Sequence, residues 1–234
     1  MIRLHGVSSG YPNRSVLDKV DLHIGQGEFV GVLGPNGSGK TTLLRCITGL
    51  NPFQGNISLA GRSISELSPK NTARLAASVP QHFQDGLDMR VDSLVLMGRY
   101  PYLSPFGMYS DVDRSAAESA MDETDTRCFA HRRAGELSGG ELQRVVLARA
   151  ITQDTPILLL DEAASGLDMA RKIEVFDLLS RKNTQGTTIV AVIHDLNLAA
   201  LYCSRLVMLL GGAIKYDGSV SEVFTAETLA DMYG

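Results

Sequence analysis

A chain of 234 residues is long enough to bury a sizeable core, as one domain or as a domain with a subdomain. Its 44% apolar and 21% charged residues, with mean hydropathy near zero, are those of an ordinary soluble protein. A net charge of −4 without any polybasic block excludes a nucleic-acid footprint. Three scattered cysteines, Cys46, Cys128 and Cys203, lack metal spacing and fit a reducing, cytosolic compartment. The first five residues lack a signal-peptide profile, and no apolar run approaches the roughly 18 residues needed to span a bilayer. A membrane role is therefore expected to come through a partner.

In chain order, the alternation at Ile2, Leu4 and Gly6 predicts an edge strand. Tyr11-Pro12-Asn13 reads as a turn, and residues 16–24 as the second strand of a hairpin. Residues 28–33 read as a buried strand, 55–59 as another, with Ala60-Gly61 as its turn. Ser68-Pro69 looks like an N-cap with proline at the first helical position, opening a short helix to Leu75. A short strand over 76–80 gives way to a polar loop at 81–86. Helices follow over about 91–99 and 111–126, joined by an irregular segment rich in aromatic residues and proline. Residues 157–160 are a continuous apolar run, as in a parallel strand covered on both faces, and 187–193 form its neighbour. A late hairpin turns at Gly211-Gly212, and a terminal helix spans 227–232. Residues 82–135 thus read as a mostly helical insertion between two strand-rich parts that supply one sheet.

The chemistry concentrates in Gly34-Pro35-Asn36-Gly37-Ser38-Gly39-Lys40-Thr41-Thr42, between a predicted strand and a predicted helix. Glycines let backbone N–H groups converge on an anion, and the helix aims its positive end at the same point. Lys40 adds a charge for β- and γ-phosphates, and the Thr41 hydroxyl is placed for Mg²⁺. A full G-x-x-x-x-G-K-T in this setting predicts a nucleoside-triphosphate site. Tyr11, an aromatic in a turn, is a candidate base-stacking platform.

Asp161, at the end of the apolar strand, is the expected second partner of Mg²⁺. Glu162 follows and is a candidate to polarise water. His194 ends the neighbouring strand, where a structural role and a γ-phosphate contact are both open. At Leu137-Ser138-Gly139-Gly140-Glu141, Ser138 and Glu141 have capping-box spacing. The two glycines cost the helix roughly 1 kcal/mol each but permit close approach to an anion. Two phosphate sites for one γ-phosphate must meet within the fold or across a dimer.

These residues resemble the ATP-binding cassette (ABC) ATPases. Gly34–Thr42 matches the Walker A motif, Ile157–Glu162 Walker B with its catalytic glutamate, and Leu137–Glu141 the LSGGE signature. Gln81 matches the Q-loop, Ser165–Asp168 the D-loop, His194 the switch histidine and Tyr11 the adenine-stacking A-loop. The match runs over essentially the whole chain; Ala163-Ala164 stands where Pro-Thr is usual and removes no group the chemistry needs.

The resemblance implies an α/β fold: a P-loop NTPase core of mainly parallel sheet, an N-terminal antiparallel β subdomain, and a helical insertion carrying the signature. It implies one domain over 1–234, with 1–81 and 157–234 as RecA-like core plus antiparallel part and about 82–156 as helical subdomain. It further implies catalytic roles for Glu162, His194 and Gln81, and Mg²⁺ held by Thr41, Gln81 and Asp161. ATP would lie between Gly34–Thr42 of one copy and Ser138, Gly139 and Gly140 of another, with Asp168 at the head-to-tail interface. The other implied partners are integral-membrane permease subunits and, indirectly, an extracytoplasmic substrate-binding protein. The chain would sit peripherally on the cytoplasmic face of the inner membrane. The stretch 95–102 resembles that of ATPases of iron–siderophore, haem and cobalamin importers. A soluble cassette ATPase usually carries two cassettes or a long coiled-coil insertion, absent here. A small-molecule kinase is disfavoured by the signature and by Glu162 directly after Asp161.

Overall fold

A computed structural model describes residues 1–11, 14–83 and 88–234. Its strands are β1 (Ile2–Tyr11), β2 (Arg14–Ile24), β3 (Phe29–Leu33), β4 (Gln54–Leu59), β5 (Arg62–Ser63), β6 (Ala76–Val79), β7 (Ile157–Asp161), β8 (Thr188–Val192), β9 (Arg205–Leu210) and β10 (Ala213–Ser219). Its helices are α1 (Lys40–Ile47), α2 (Pro69–Ala73), α3 (Val91–Leu96), α4 (Asp111–Glu123), α5 (Gly139–Thr152), α6 (Met169–Thr184), α7 (Leu196–Tyr202), α8 (Val220–Val223) and α9 (Ala226–Tyr233).

Among the described residues the strands form two sheets. One is antiparallel in the order β2-β1-β4-β5; the other runs β10-β9-β3-β8-β7-β6 and is parallel apart from the β9–β10 pair. β1 buries Ile2 and Leu4 and exposes Arg3 and His5, as its alternation predicts, but a register shift between Leu4 and Val7 puts Val7 on the buried face. It is not an edge strand, however, since β2 and β4 flank it. Alternation reports a covered face and carries no information about lateral neighbours.

β3, β7 and β8 are buried at every position, the state of parallel strands covered on both sides. Their side chains divide between two apolar layers. Val30, Val32, Leu159 and Val190 face α1 and the antiparallel sheet. Phe29, Leu160 and Ile189 face α5, α6 and α7, with Met232 of α9 packed in the same layer. A third cluster joins Val91, Leu94 and Val95 of α3 to Ala117, Ala120 and Met121 of α4 and to Val145 and Ala148 of α5. α5 faces both ways, since its Val146, Leu147 and Ala150 belong to the sheet layer.

Several boundaries differ from expectation. The helix expected over 91–99 ends at Leu96 and tightens into a 3₁₀ segment, Met97–Tyr102, which contains Pro101. The helix expected to reach 126 stops at Glu123, where the Thr124 hydroxyl bonds the Ala120 carbonyl and Asp125 turns left-handed (φ 51). α6 and α7 have no counterpart in the sequence reading, although Asp168 and Asp195 cap them through side-chain oxygens. Pro12, Asn13 and residues 84–86 of the expected loops lie outside the described residues. No described helix is long and apolar enough to cross a membrane.

Asp113 ties the α3–α4 region together. It completes a capping box with Ser110 and accepts from Arg99 Nε at 2.9 Å, in a pair whose side chains are 13% and 14% exposed. Hydrogen bonds from Ser110 and then Arg99 hold its carboxyl down to about 2. The folded value lies below the unfolded one, so the stabilisation is present above the ordinary carboxylate range and lost as pH falls towards 2. Asp113→Asn should lower the unfolding free energy in urea by about 1–2 kcal/mol at neutral pH. That gap should close as the titration is repeated at progressively lower pH.

Candidate nucleotide site

β3 ends at Leu33 and the chain turns at Gly34 (φ 144), where a Cβ would stand 2.2 Å from the Leu209 carbonyl oxygen. Only glycine permits that approach. Gly37 and Gly39 are also left-handed (φ 80 and 107), and Gly39 caps α1 without any side-chain hydrogen bond. The first N–H groups of α1 thus lack a side-chain acceptor, and the buried Ser38 hydroxyl has no partner either. An uncapped helix start and an orphaned hydroxyl in one loop fit an anion supplied from outside the chain. Lys40 Nζ folds back to donate to the carbonyls of Gly34 (2.8 Å) and Pro35 (3.0 Å). Burial lowers its pKa, against the opposing pull of Glu162 and Asp161.

The opposite wall is built by sheet order. β6, β7 and β8 are neighbours, and Gln81, Glu162 and His194 follow their carboxyl ends. Gln81 Nε2 donates to Glu162 Oε2 at 2.5 Å, and His194 Nε2 lies 2.6 Å from Glu162 Oε1. Glu162 itself is a non-glycine residue at φ 53, a strained conformation that turns it away from the line of β7. One residue earlier, Asp161 Oδ1 accepts from the Thr41 hydroxyl at 3.0 Å. Burial raises the Asp161 pKa, with the Thr41 bond opposing. Among the described residues no three His, Cys, Asp or Glu side chains gather as a metal site. The Thr41–Asp161 pair suits Mg²⁺, which takes one or two carboxylates and completes its shell with water and phosphate.

A cleft of about 550 Å³ lies between these walls. Its far end is formed by Tyr11 and Arg14, which β1 and β2 deliver. Here again glycines decide the contact. A Cβ on Gly39 would meet Leu17 Cδ2 at 2.8 Å and the Val16 carbonyl at 3.2 Å, and one on Gly212 would meet that carbonyl at 2.2 Å. β2 therefore lies directly on the phosphate loop. The Tyr11 ring is half exposed (49%), and a hydrogen bond with Asn51, aided by Thr42 and Arg45, lowers its pKa despite some desolvation.

The structure thus brings Tyr11, the loop 34–42, Gln81, Asp161, Glu162 and His194 together. It does not bring in Ser138, Gly139 or Gly140, none of which lines the cleft. Ser138 and Glu141 do form the expected capping box, and Ser138 and Gly139 face solvent. Gly140 sits against Leu167, where a Cβ would stand 3.1 Å from Cδ2, and the exposed Asp168 accepts from the Arg171 N–H at the start of α6. Sequence reasoning missed two residues. Arg14 stands at the cleft end three positions after Tyr11, a cation opposite a phosphate loop. Tyr233, whose hydroxyl accepts from the Gly34 N–H at 3.2 Å, left no local signal.

Comparison with known proteins adds ancestry. Residues 17–165 match the family described as ABC transporter. The chain is 40% identical to the cobalamin import ATP-binding protein BtuD of Halobacterium salinarum, covering 92% of this chain and 54% of that protein. It is 37% identical to the petrobactin import ATP-binding protein FpuC of Bacillus anthracis, covering 100% and 87%. The chain spans about half the length of the first curated relatives it matches, 53% to 54%. Among solved structures, the ATP-binding cassette MJ0796, dimeric and bound to ADP and Pi after hydrolysis, superposes with a TM-score of 0.85 at 28% identity, covering 94% of this chain and 99% of that one.

Replacing Gly39 tests the seating of β2 on the loop. Gly39→Ala should cost about 1–3 kcal/mol in urea unfolding through strain and overlap with Leu17. Nucleotide affinity, read by fluorescence titration, should fall with it, because Tyr11 and Arg14 ride on the displaced strands.

Proposed function

This chain belongs to the ABC transporter family, and from that membership we propose that it is the ATP-hydrolysing, energy-coupling subunit of an importer. The observation that carries the reading is Glu162, gripped by Gln81 and His194 one residue after the Asp161–Thr41 bond.

In this reading the adenine stacks on Tyr11. The loop residues Gly34, Pro35, Asn36, Gly37, Ser38, Gly39, Lys40, Thr41 and Thr42 hold the phosphates through backbone N–H groups and the Lys40 ammonium. Lys40 Nζ, held by the Gly34 and Pro35 carbonyls, has a third N–H to give to a phosphate oxygen. Thr41, Asp161 and Gln81 would hold Mg²⁺, which would supply positive charge against the phosphates. Glu162 takes a proton from the water that attacks the γ-phosphorus, as the bond to the β–γ bridging oxygen breaks and ADP leaves. His194 and Gln81 orient that carboxylate, and His194 reaches the γ-phosphate.

Ser138 and Gly139 face solvent in the single chain and Gly140 packs beside them on Leu167, outside the cleft, so the three act on the ATP of a second copy. Two copies close head to tail around two ATP, with Asp168 at the seam, and hydrolysis reopens them. The dimeric MJ0796 cassette supports this arrangement. The closing motion passes to integral-membrane permease subunits, which hold the chain at the cytoplasmic face of the inner membrane. An extracytoplasmic binding protein supplies cargo from the other side, and no nucleic acid takes part. The cargo class is an iron–siderophore, haem or cobalamin, supported by the stretch 95–102 and by the names of relatives.

Glu162→Gln should reduce ATP turnover by about 10²–10⁴-fold. It should also trap an ATP-bound dimer on size exclusion, and near-normal turnover would remove Glu162 from the role assigned to it. Ser138→Arg addresses the composite site. ATP should still bind to the chain while hydrolysis and dimer formation are lost; intact hydrolysis would return the site to a single chain.

A further inference from the structure

The helix α9 holds the sheet through contacts that do not involve its last tyrosine. Met232 is buried (4% exposed) in the apolar layer on the α5–α7 side of the six-stranded sheet. Asp231 accepts from the Tyr216 hydroxyl at 2.7 Å and pairs with Lys215, both on β10. The Tyr233 hydroxyl does something different. It accepts a hydrogen bond from the N–H of Gly34, the first residue of the phosphate loop.

Gly34 is held from three directions. Its N–H is taken by Tyr233, its Cα packs against the Leu209 carbonyl with no room for a Cβ, and its own carbonyl accepts from Lys40 Nζ. The two peptide planes that flank the Gly34 Cα are thus each held, the first by the terminal helix and the second by the loop lysine. A shift of the first plane moves the second, and with it the oxygen that steers Lys40.

We propose that Tyr233 is a positioning residue for nucleotide binding, acting through Gly34 to set the height of the phosphate loop and the reach of Lys40. The inference rests on the reading of the cleft as an ATP site. It extends that site to a helix from the opposite end of the chain. Burial pushes the Tyr233 phenol up from its ordinary value, so the hydroxyl stays neutral and the effect is flat through the neutral range.

The test is Tyr233→Phe, which keeps the ring and removes the acceptor. With Mg²⁺ present, the Kd for ATP and the KM of hydrolysis should rise about 3–10-fold, the weight of one hydrogen bond. The kcat should stay within about two-fold, because Glu162, Gln81 and His194 are untouched. A purely structural tyrosine would lower Tm and leave the ratio of KM to kcat unchanged. In a second measurement, the Gly34 amide should exchange with deuterated solvent slowly in the wild type and about ten-fold faster in the variant. Wild-type protein that fails to bind ATP would sink the function proposed above and this inference with it. Wild-type binding that the substitution leaves unchanged, or equal amide exchange in both proteins, would overturn this inference alone.

Discussion

Three parallel strands ending side by side are the constraint on which the site depends. Val79 of β6 stands opposite Leu160 of β7, and Leu160 opposite Ala191 of β8. From that common level the chain needs only two or three further residues to reach Gln81, Glu162 and His194. A slip of one residue in either pairing would invert every side chain of a strand and send its terminal group to the other face. Packing on both faces opposes the slip, because every residue of β7 and β8 is buried and each side chain would have to exchange one filled layer for the other. The packing of the core and the placing of the Glu162 carboxylate therefore have one cause.

The second constraint is close approach at glycine. Gly34 meets the Leu209 carbonyl, Gly39 meets Val16 and Leu17, and Gly212 meets Val16. These contacts lock the antiparallel sheet, the phosphate loop and the β9–β10 turn into one assembly. Tyr11 and Arg14 reach the cleft because of them. Polar groups in the same assembly are left unsettled: an orphaned Ser38 hydroxyl, a buried Lys40 turned onto backbone carbonyls, a buried Asp161 and a left-handed Glu162. A highly charged ligand in the cleft would relieve these groups. The rest of the core is ordinary, with apolar layers on either face of the sheet.

The helical part is joined to this core by α5, which lends one face to α3 and α4 and another to the sheet. Its amino end presents Ser138 and Gly139 to solvent, away from the cleft of its own chain. Ion pairs from Asp125 to Arg144 and Arg171, and from Glu123 to Lys182, link the α4–α5 region to α6. The Asp125–Arg171 pair is exposed and contributes little by itself, whereas Arg144 is buried and the Glu123–Lys182 pair half-buried, so these two add to the tie made by the shared face of α5.

Sequence alone determined the phosphate loop, the buried parallel strands, the hairpin at each end and the capped starts at Ser68 and Ser138. These features are local: glycine, proline, cap residues and apolar runs act within a few positions of themselves. The motif order was also enough to identify Asp161, Glu162, Gln81, His194 and the signature at Ser138–Gly140 as candidates. Tertiary structure alone decided what meets what. That β1 is central, that Glu162 leaves its strand with a left-handed turn, and that Arg14 shares the cleft follow from pairing and approach between distant segments. The bond from Tyr233 to Gly34 is the extreme case, since no pattern near either residue announces it. Long-range contacts of this kind depend on the whole packed sheet, and a linear pattern carries no coordinate for them.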